Sequence, residues 1–129
     1  MTTIKISANT TVATIDIDGV IGSEPQGGDA VTSYSALKER LQQIEELKTP
    51  VVVVNIRSVG GDVADALLIY DALSGLDAHI TTRCYGYTAS AATIIAQAAN
   101  EGCREIADSA LYLIHNSSCV AEGNAADLQ

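Results

Sequence analysis

Apolar residues alternate with polar or small ones at the start of the chain. Ile4 and Ile6, followed by Val12, Ile15 and Ile17, are the apolar positions of this segment. A spacing close to two residues is typical of an extended backbone whose side chains point to alternate faces. The first twenty residues are therefore predicted to form strands.

The spacing changes to that of an α-helix in the next segment. A helix is predicted from Asp29, whose side chain could cap it, to about Lys48. Its apolar residues recur every three or four positions and would form one face of the helix. They are Tyr34, Leu37, Leu41, Ile44 and Leu47. Pro50 ends the helix, and the nearly continuous β-branched run at residues 51–56 predicts a strand covered on both faces.

In the second half of the chain, helical and strand patterns again alternate. Asp62 is expected to start a second helix, in a capping-box-like pair with Asp65, and the helix is expected to end near Ser74 and Gly75. The remaining predicted elements are a buried strand at 79–84, a helix at 89–100 and short strands at 104–107 and 111–115. Strands that alternate with helices indicate an α/β domain with a parallel sheet flanked by helices, here a single domain over residues 1–129.

Composition narrows the range of partners. A hydrophobic fraction of 47% and a charged fraction of 18% are typical of a globular domain. The formal charge of −9 would repel a phosphate backbone, so a nucleic acid is not expected as a partner. No apolar run is long enough to cross a bilayer, and the N-terminal residues lack the apolar centre of a signal peptide. A membrane partner is therefore not expected either.

No cofactor or metal is expected from the motifs. Cys84, Cys103 and Cys119 lack the Cys-x-x-Cys spacing of zinc and redox sites, which predicts free thiols and a cytoplasmic location. Residues 16–19 (DIDG) resemble the opening of a calcium loop, but the later oxygen ligands do not follow. Residues 22–28 (GSEPQGG) lack the lysine of a phosphate-binding loop.

Three segments carry candidate chemistry. Gly60 and Gly61 stand between a strand and a helix, where consecutive glycines leave backbone N–H groups open to a ligand. Ser90 opens a helix whose first N–H groups have no intrahelical partner, so the N–H of Ala91 could stabilise an anion beside the hydroxyl. His115 ends an apolar strand. Taken singly, each has a structural explanation: a tight turn, close packing of small residues on the sheet, and a hydrogen-bonded structural histidine. His79, the other histidine, is expected at the surface.

Together these segments resemble the proteolytic subunit of the Clp protease family (ClpP), and especially its phage and prophage relatives that process capsid proteins. The resemblance runs from about Val51 to the end of the chain and rests on the order and spacing of five motifs. They are residues 58–61 (SVGG), 69–71 (IYD), 86–90 (GYTAS), 114–116 (IHN) and 123–128 (GNAADL). The resemblance implies a ClpP/crotonase-like fold of repeated β-β-α units.

The resemblance also implies an activity, namely ATP-independent hydrolysis of peptide bonds by a Ser-His-Asp mechanism. Ser90 would be the nucleophile and His115 its base, with the oxyanion held by the backbone N–H groups of Gly61 and Ala91. The implied assembly is a homo-oligomeric ring that acts on protein or peptide substrates, with an unfoldase or a capsid protein as partner. Arg57 and Val59 depart from the family's Asn and Pro, and Ala91 replaces a common Met. These departures concern the shape of the loop, because only backbone N–H groups are needed there.

The acid of the triad is expected beyond Gln129. In the family it follows the helix that Asn124 is expected to cap here, and the sequence ends inside the first turn of that helix. Asp127 is better explained as a residue of the helix start, favourable near its positive end. We therefore expect a domain shortened at its C-terminal end, and a piece that is weak or inactive as it stands. Loss of the orienting acid lowers kcat by about 10⁴ in a known case.

Three other functions remain open at this point. A crotonase-like acyl-CoA enzyme would share the fold and the paired N–H groups, but it has no need of Ser90 and His115. A catalytically inert ring or scaffold subunit would show decay of these residues, which are intact. A Ser-Lys peptidase is disfavoured because Lys5, Lys38 and Lys48 do not lie at a strand end beside Ser90.

Overall fold

The computed structural model describes residues 6–8, 11–22 and 31–115. Within them the strands are β1 (Ile6–Ala8), β2 (Val12–Ile21), β3 (Val31–Thr32), β4 (Val51–Gly61), β5 (His79–Ala89), β6 (Arg104–Ile106) and β7 (Leu111–Leu113). The helices are α1 (Tyr34–Leu47), α2 (Val63–Ser74) and α3 (Ala91–Ala96). Ile4, most of the loop at 22–28, Asp29 and the helix expected from Asn124 lie outside the described residues.

The strands form one sheet that is mainly parallel. β2, β4 and β5 run parallel at its centre, and β1 pairs antiparallel with β2 at one side. The far side of β5 pairs with β6 near its start and with β7 near its end, both in parallel. Because parallel strands end at the same edge of a sheet, β2, β4, β5 and β7 all deliver their last residues to one edge. The predicted α/β fold, a parallel sheet flanked by helices, is confirmed.

Alternate residues of the central strands enter a single hydrophobic core. Strand residues that are at most 1% exposed include Ala13, Ile15, Ile17, Val52, Val54 and Ile56. They cluster with buried side chains from all three helices, among them Leu37, Ile69 and Ile95. Burying an aliphatic side chain of this size contributes about 1.5–3 kcal/mol, so this cluster is the main source of stability in the described part of the chain.

The prediction that residues 51–56 form a strand covered on both faces was wrong in one respect. Val51, Val53 and Asn55 are only partly buried, whereas the residues between them are fully buried. The reason is that the buried side chains of the three helices meet only one face of β4. On the other face Asn55 Nδ2 donates a hydrogen bond to Asp16 Oδ1, at 2.9 Å.

The predicted start of α2 is confirmed for Asp62 but not for Asp65. Asp62 caps α2 as expected, because its Oδ1 accepts a hydrogen bond from the N–H of Ala64 at 2.9 Å. The capping-box role of Asp65 is wrong: its Oδ2 instead accepts a hydrogen bond from the N–H of Tyr34, at 3.3 Å. Asp65 therefore connects α2 to the start of α1.

The first long helix begins later than predicted. Ser33 caps α1, because its Oγ accepts a hydrogen bond from the N–H of Ala36 at 3.1 Å. Lys48 follows the helix in a left-handed conformation with φ +52°. Among the residues described, none of the helices has both the length and the apolar character needed to cross a membrane.

Candidate active site

Ser90 occupies the junction between β5 and α3 in an unusual backbone conformation. Its φ of +56° and ψ of −125° lie in a region that residues with a side chain seldom adopt. The sequence placed Ser90 in the first turn of the helix, but β5 continues to Ala89 and α3 begins only at Ala91. Ser90 is therefore the residue before the helix, and its side chain makes no capping hydrogen bond. A sharp strand-to-helix turn of this kind is how several hydrolases present a serine nucleophile.

Backbone hydrogen bonds hold this turn on both sides of Ser90. Its N–H donates to the carbonyl oxygen of Leu113 at 2.9 Å, which attaches the turn to β7. Its carbonyl oxygen accepts from the N–H of Thr93 at 3.0 Å and from the Thr93 hydroxyl at 2.6 Å. Three bonds thus offset the cost of the strained conformation, which is about 1–3 kcal/mol.

The double glycine lies directly against this turn. A Cβ added to Gly60 would stand 2.7 Å from the carbonyl oxygen of Ala89 and 2.9 Å from both the nitrogen of Ala91 and the Cβ of Ser90. Gly60 also has a φ of +94°. Only glycine combines this backbone conformation with such a close approach.

Gly61 stands between the turn and strand β2. Its φ is +147°, and it pairs with Ile21, whose carbonyl oxygen accepts a hydrogen bond from the N–H of Asp62 at 2.8 Å. A Cβ on Gly61 would collide with that same carbonyl oxygen. The two glycines therefore let the end of β4 pack tightly between the end of β2 and the turn at Ser90.

His115 follows the end of β7, the strand that pairs with the end of β5. The register sets Leu113 beside Ala89, so His115 comes two residues beyond the last paired position, next to the turn that holds Ser90. The side chain of His115 is exposed. The structure thus brings Ser90, the double glycine and the end of β7 to one edge of the sheet, while the roles of Ser90, His115, Gly61 and Ala91 stay predictions.

Two hydroxyl groups, on β4 and β5, stabilise the second half of β4 without a part in the proposed chemistry. Ser58 is buried, and its Oγ accepts a hydrogen bond from the N–H of Gly60 at 3.0 Å. The hydroxyl of Thr88 donates to the carbonyl oxygen of Ile56 at 3.2 Å, which joins the ends of β4 and β5. Sequence reasoning included Ser58 and Thr88 in family motifs without predicting these hydrogen bonds, and it did not identify Thr93. For Thr93 a signal existed, since a helical threonine can donate to the carbonyl three residues earlier.

Two of the departures from the family pattern, Arg57 and Val59, lie at the surface. Arg57 forms a two-point hydrogen bond with the carboxylate of Asp18, at 2.8 and 3.2 Å. This hydrogen bonding, and then the charge of Asp18, raises the pKa of Arg57, so the side chain keeps its charge. Val59 is 57% exposed. Neither side chain takes a place that the N–H groups of the turn require.

The cysteines differ in their surroundings. Cys84 is buried on β5, and burial raises the pKa of its thiol. Cys103 is partly exposed, and its Sγ lies 3.1 Å from Nε2 of His79, whose side chain is exposed as predicted. Both thiols are free, as predicted, and Cys119 lies outside the described residues.

We expect iodoacetamide to alkylate Cys103 of the native protein much faster than Cys84. The thiolate is the reactive form, and burial both shields Cys84 and disfavours its ionisation. Burial keeps the Cys84 thiol protonated to a higher pH in the native state than in the unfolded chain. The stability that this group contributes is therefore fully present below the unfolded pKa of about 8.5 and is lost as the pH rises through the raised pKa of the folded state. Timed alkylation followed by peptide mapping measures each cysteine separately. Equal rates at Cys84 and Cys103 would contradict the burial described here.

Comparison with known proteins supports the fold and assigns a family. The family model described as Clp protease matches residues 29–129. Among curated relatives, the ATP-dependent Clp protease proteolytic subunit of Carsonella ruddii is 29% identical over 98 residues, 76% of this chain and 50% of that protein. Proteolytic subunit 4 of Rhodococcus jostii is 36% identical over 73 residues, 57% of this chain and 38% of that protein.

A solved structure shows the same fold. ClpP1 from Listeria monocytogenes matches with a TM-score of 0.69 and 24% sequence identity, over 79% of this chain and 55% of that chain. The present chain spans half or less of the length of the curated relatives named above. Because the family model covers most of its residues, the chain belongs to the Clp protease family.

Proposed function

We propose that the full-length protein is a serine endopeptidase in which Ser90 is the nucleophile and His115 the general base. One observation carries the proposal beyond family membership. The backbone of Gly60 approaches Ser90 and Ala91 so closely that a Cβ would stand 2.9 Å from the nitrogen of Ala91. The strained turn at Ser90 and the double glycine therefore form one compact unit at the edge of the sheet.

The proposed reaction follows the order of acyl transfer. The Oγ of Ser90 attacks the carbonyl carbon of the peptide bond while His115 accepts the hydroxyl proton. The resulting oxyanion is held by the N–H groups of Gly61 and Ala91, and a donor of this kind contributes on the order of 3 kcal/mol in a known case. His115 then passes the proton to the leaving amine, and a water molecule hydrolyses the acyl-enzyme by the same steps.

A third residue is needed to orient the imidazole. We propose that this acid lies beyond Gln129, in the part of the protein that corresponds to the remaining length of the Clp relatives. Asp127 and Asn116 lie outside the described residues. Loss of the acid lowers kcat by about 10⁴ in a known case, so activity experiments require the full-length protein.

The assembly and partners are proposed on the resemblance to Clp proteases. We assign the protein to a homo-oligomeric ring in the cytoplasm that cleaves protein or peptide substrates, in the branch that includes phage and prophage head-maturation proteins. The motif at residues 123–128 supports this branch. The chemistry of Ser90 and His115 consumes no ATP, so we assign any nucleotide hydrolysis to an unfoldase partner, with a capsid protein as the alternative partner.

Labelling with a fluorophosphonate tests the function without knowledge of the substrate. We expect the full-length protein to be phosphonylated at Ser90, because an activated serine displaces fluoride from phosphorus. Mass spectrometry of the digested protein locates the adduct, and Ser90→Ala is the control that should remain unlabelled. Absence of an adduct at Ser90 in folded full-length protein would overturn the proposal and favour a crotonase-like acyl-CoA enzyme.

A further inference from the structure

Thr93 holds the carbonyl group of Ser90 with two hydrogen bonds. The hydroxyl of Thr93 donates to this carbonyl oxygen at 2.6 Å, and the N–H of Thr93 donates to it at 3.0 Å. The side chain of Thr93 is 8% exposed, so water competes little for the acceptor. Thr93, in the first turn of α3, therefore fixes the orientation of this carbonyl.

That carbonyl and the N–H of Ala91 belong to the same peptide unit. A trans peptide is planar, with its C=O and N–H pointing in opposite directions, so an element that fixes one of them also fixes the other. No cis peptide occurs among the described residues. The nitrogen of Ala91 lies 2.9 Å from the place that a Cβ on Gly60 would occupy. Whatever orients the Ser90 carbonyl thus orients an N–H that borders the double glycine.

We infer that Thr93 is a positioning residue that aims the N–H of Ala91 at the oxyanion. The inference rests on the proposed function, in which this N–H is one of two oxyanion donors. Such a donor stabilises the transition state only when it is already directed at the developing charge. Loss of the Thr93 hydroxyl removes one of the two hydrogen bonds from Thr93 to the Ser90 carbonyl, and we expect the N–H of Ala91 to lose part of its alignment.

The neighbours of Thr93 connect this residue to β7. Its carbonyl oxygen accepts from Gln97 Nε2 at 3.4 Å and from the Tyr112 hydroxyl at 3.5 Å. Gln97 Nε2 lies 3.2 Å from the Tyr112 hydroxyl, and Arg104 donates to Gln97 Oε1 at 2.7 Å. Tyr112 belongs to the strand that leads to His115. Thr93 is thus supported by the element that carries the proposed base.

A threonine can make the same bond for a purely structural purpose, and the chain contains a matched example. The hydroxyl of Thr82 donates to the carbonyl oxygen of Ala96 at 2.9 Å, and Thr82 is fully buried. This bond holds the far end of α3 and does not involve the peptide between Ser90 and Ala91. A loss of stability alone would affect Thr82 and Thr93 variants alike, whereas a positioning role affects only Thr93.

The test compares Thr93→Val and Thr82→Val in the full-length protein, with a fluorophosphonate as the probe. Valine keeps the shape of threonine and removes the hydroxyl. We expect Thr93→Val to lower the maximal rate of Ser90 labelling about three- to tenfold, the value of one net hydrogen bond, with an unchanged half-saturating concentration. Thr93→Ser keeps the hydroxyl and should restore the rate. Thr82→Val should label at the wild-type maximal rate per folded molecule.

The outcomes separate this inference from the function on which it rests. If the wild-type protein is not labelled at Ser90, the proposed function fails and the positioning role with it. If the wild-type protein is labelled and Thr93→Val matches its maximal rate, or if Thr82→Val slows labelling equally, only the positioning role is overturned. Should Thr93→Val not fold, Thr93→Ala and Thr93→Ser provide the same comparison of a variant without and with the hydroxyl.

Discussion

Replacing Ser90 by alanine in the full-length protein is expected to lower kcat for peptide hydrolysis by a factor on the order of 10⁶. The replacement removes the only atom that can form the acyl-enzyme in the proposed mechanism. His115→Ala should cost a similar factor, because without a base the hydroxyl of Ser90 remains a weak nucleophile. The double variant should be no slower than either single variant, since the two residues act in one step.

Cleavage of a fluorogenic peptide measures these rates, and Ser74→Ala is a suitable control. Ser74 is exposed at the end of α2, so its loss should change neither folding nor rate. Two outcomes would sink the assignment of the nucleophile and base. One is peptide cleavage by Ser90→Ala at the wild-type rate, and the other is a double variant whose loss equals the product of the two single losses. An inert wild-type protein with a native fold would instead identify a scaffold subunit.

Replacing Gly60 by alanine is expected to destabilise the native state by more than about 3 kcal/mol and to abolish labelling of Ser90 by a fluorophosphonate. The added Cβ would stand 2.7 to 2.9 Å from Ala89, Ser90 and Ala91, and two of those three contacts are with backbone atoms that cannot rotate away. The turn would have to move off the end of β4. Because Ser90 is already strained, we expect its geometry to be lost before the core unfolds.

Gly102→Ala is the matched control for Gly60→Ala. Gly102 also has a positive φ, +78°, but an added Cβ there meets nothing within 4 Å. We expect this control to cost about 1–2 kcal/mol, the conformational penalty alone, and to leave labelling intact. Urea unfolding gives the stabilities, and the labelling rate in the absence of urea reports the turn. Wild-type labelling of Gly60→Ala would show that the close packing on Ser90 has no functional importance.

Local sequence patterns were sufficient for elements whose signals are contained within a few residues. The cap at Asp62 followed from an acid placed just before an apolar helix, and the structure confirms it. The strand at 12–21 was predicted from alternation within the first twenty residues, whereas the strand predicted at 79–84 extends further, to Ala89. The same local reasoning failed for Asp65, because its partner is Tyr34 on a different helix.

The site shows the same division between local and long-range information. The sequence indicated that Ser90 stands at the start of a helix and that glycines at 60 and 61 permit an unusual backbone. It did not indicate the positive φ of Ser90, which depends on β5 continuing to Ala89, on the hydrogen bond that the Ser90 N–H donates to Leu113 and on the two hydrogen bonds that Thr93 donates to Ser90. It also did not show that Gly60 contacts Ala91, because that contact results from the shift in register between Ile56 and Ser58 where β4 pairs with β5.

By itself, then, the sequence determined the class of fold, the order of its elements and which side chains are chemically competent, since these follow from the period of apolar residues and from residue type. Only the tertiary structure decided which of those residues share one edge of the sheet, how the peptide between Ser90 and Ala91 is oriented, and that Val51, Val53 and Asn55 lie on a partly exposed face of β4. The physical reason is range: periodicity and capping act within a few positions of the chain, whereas register and close backbone packing depend on strands that are distant in sequence.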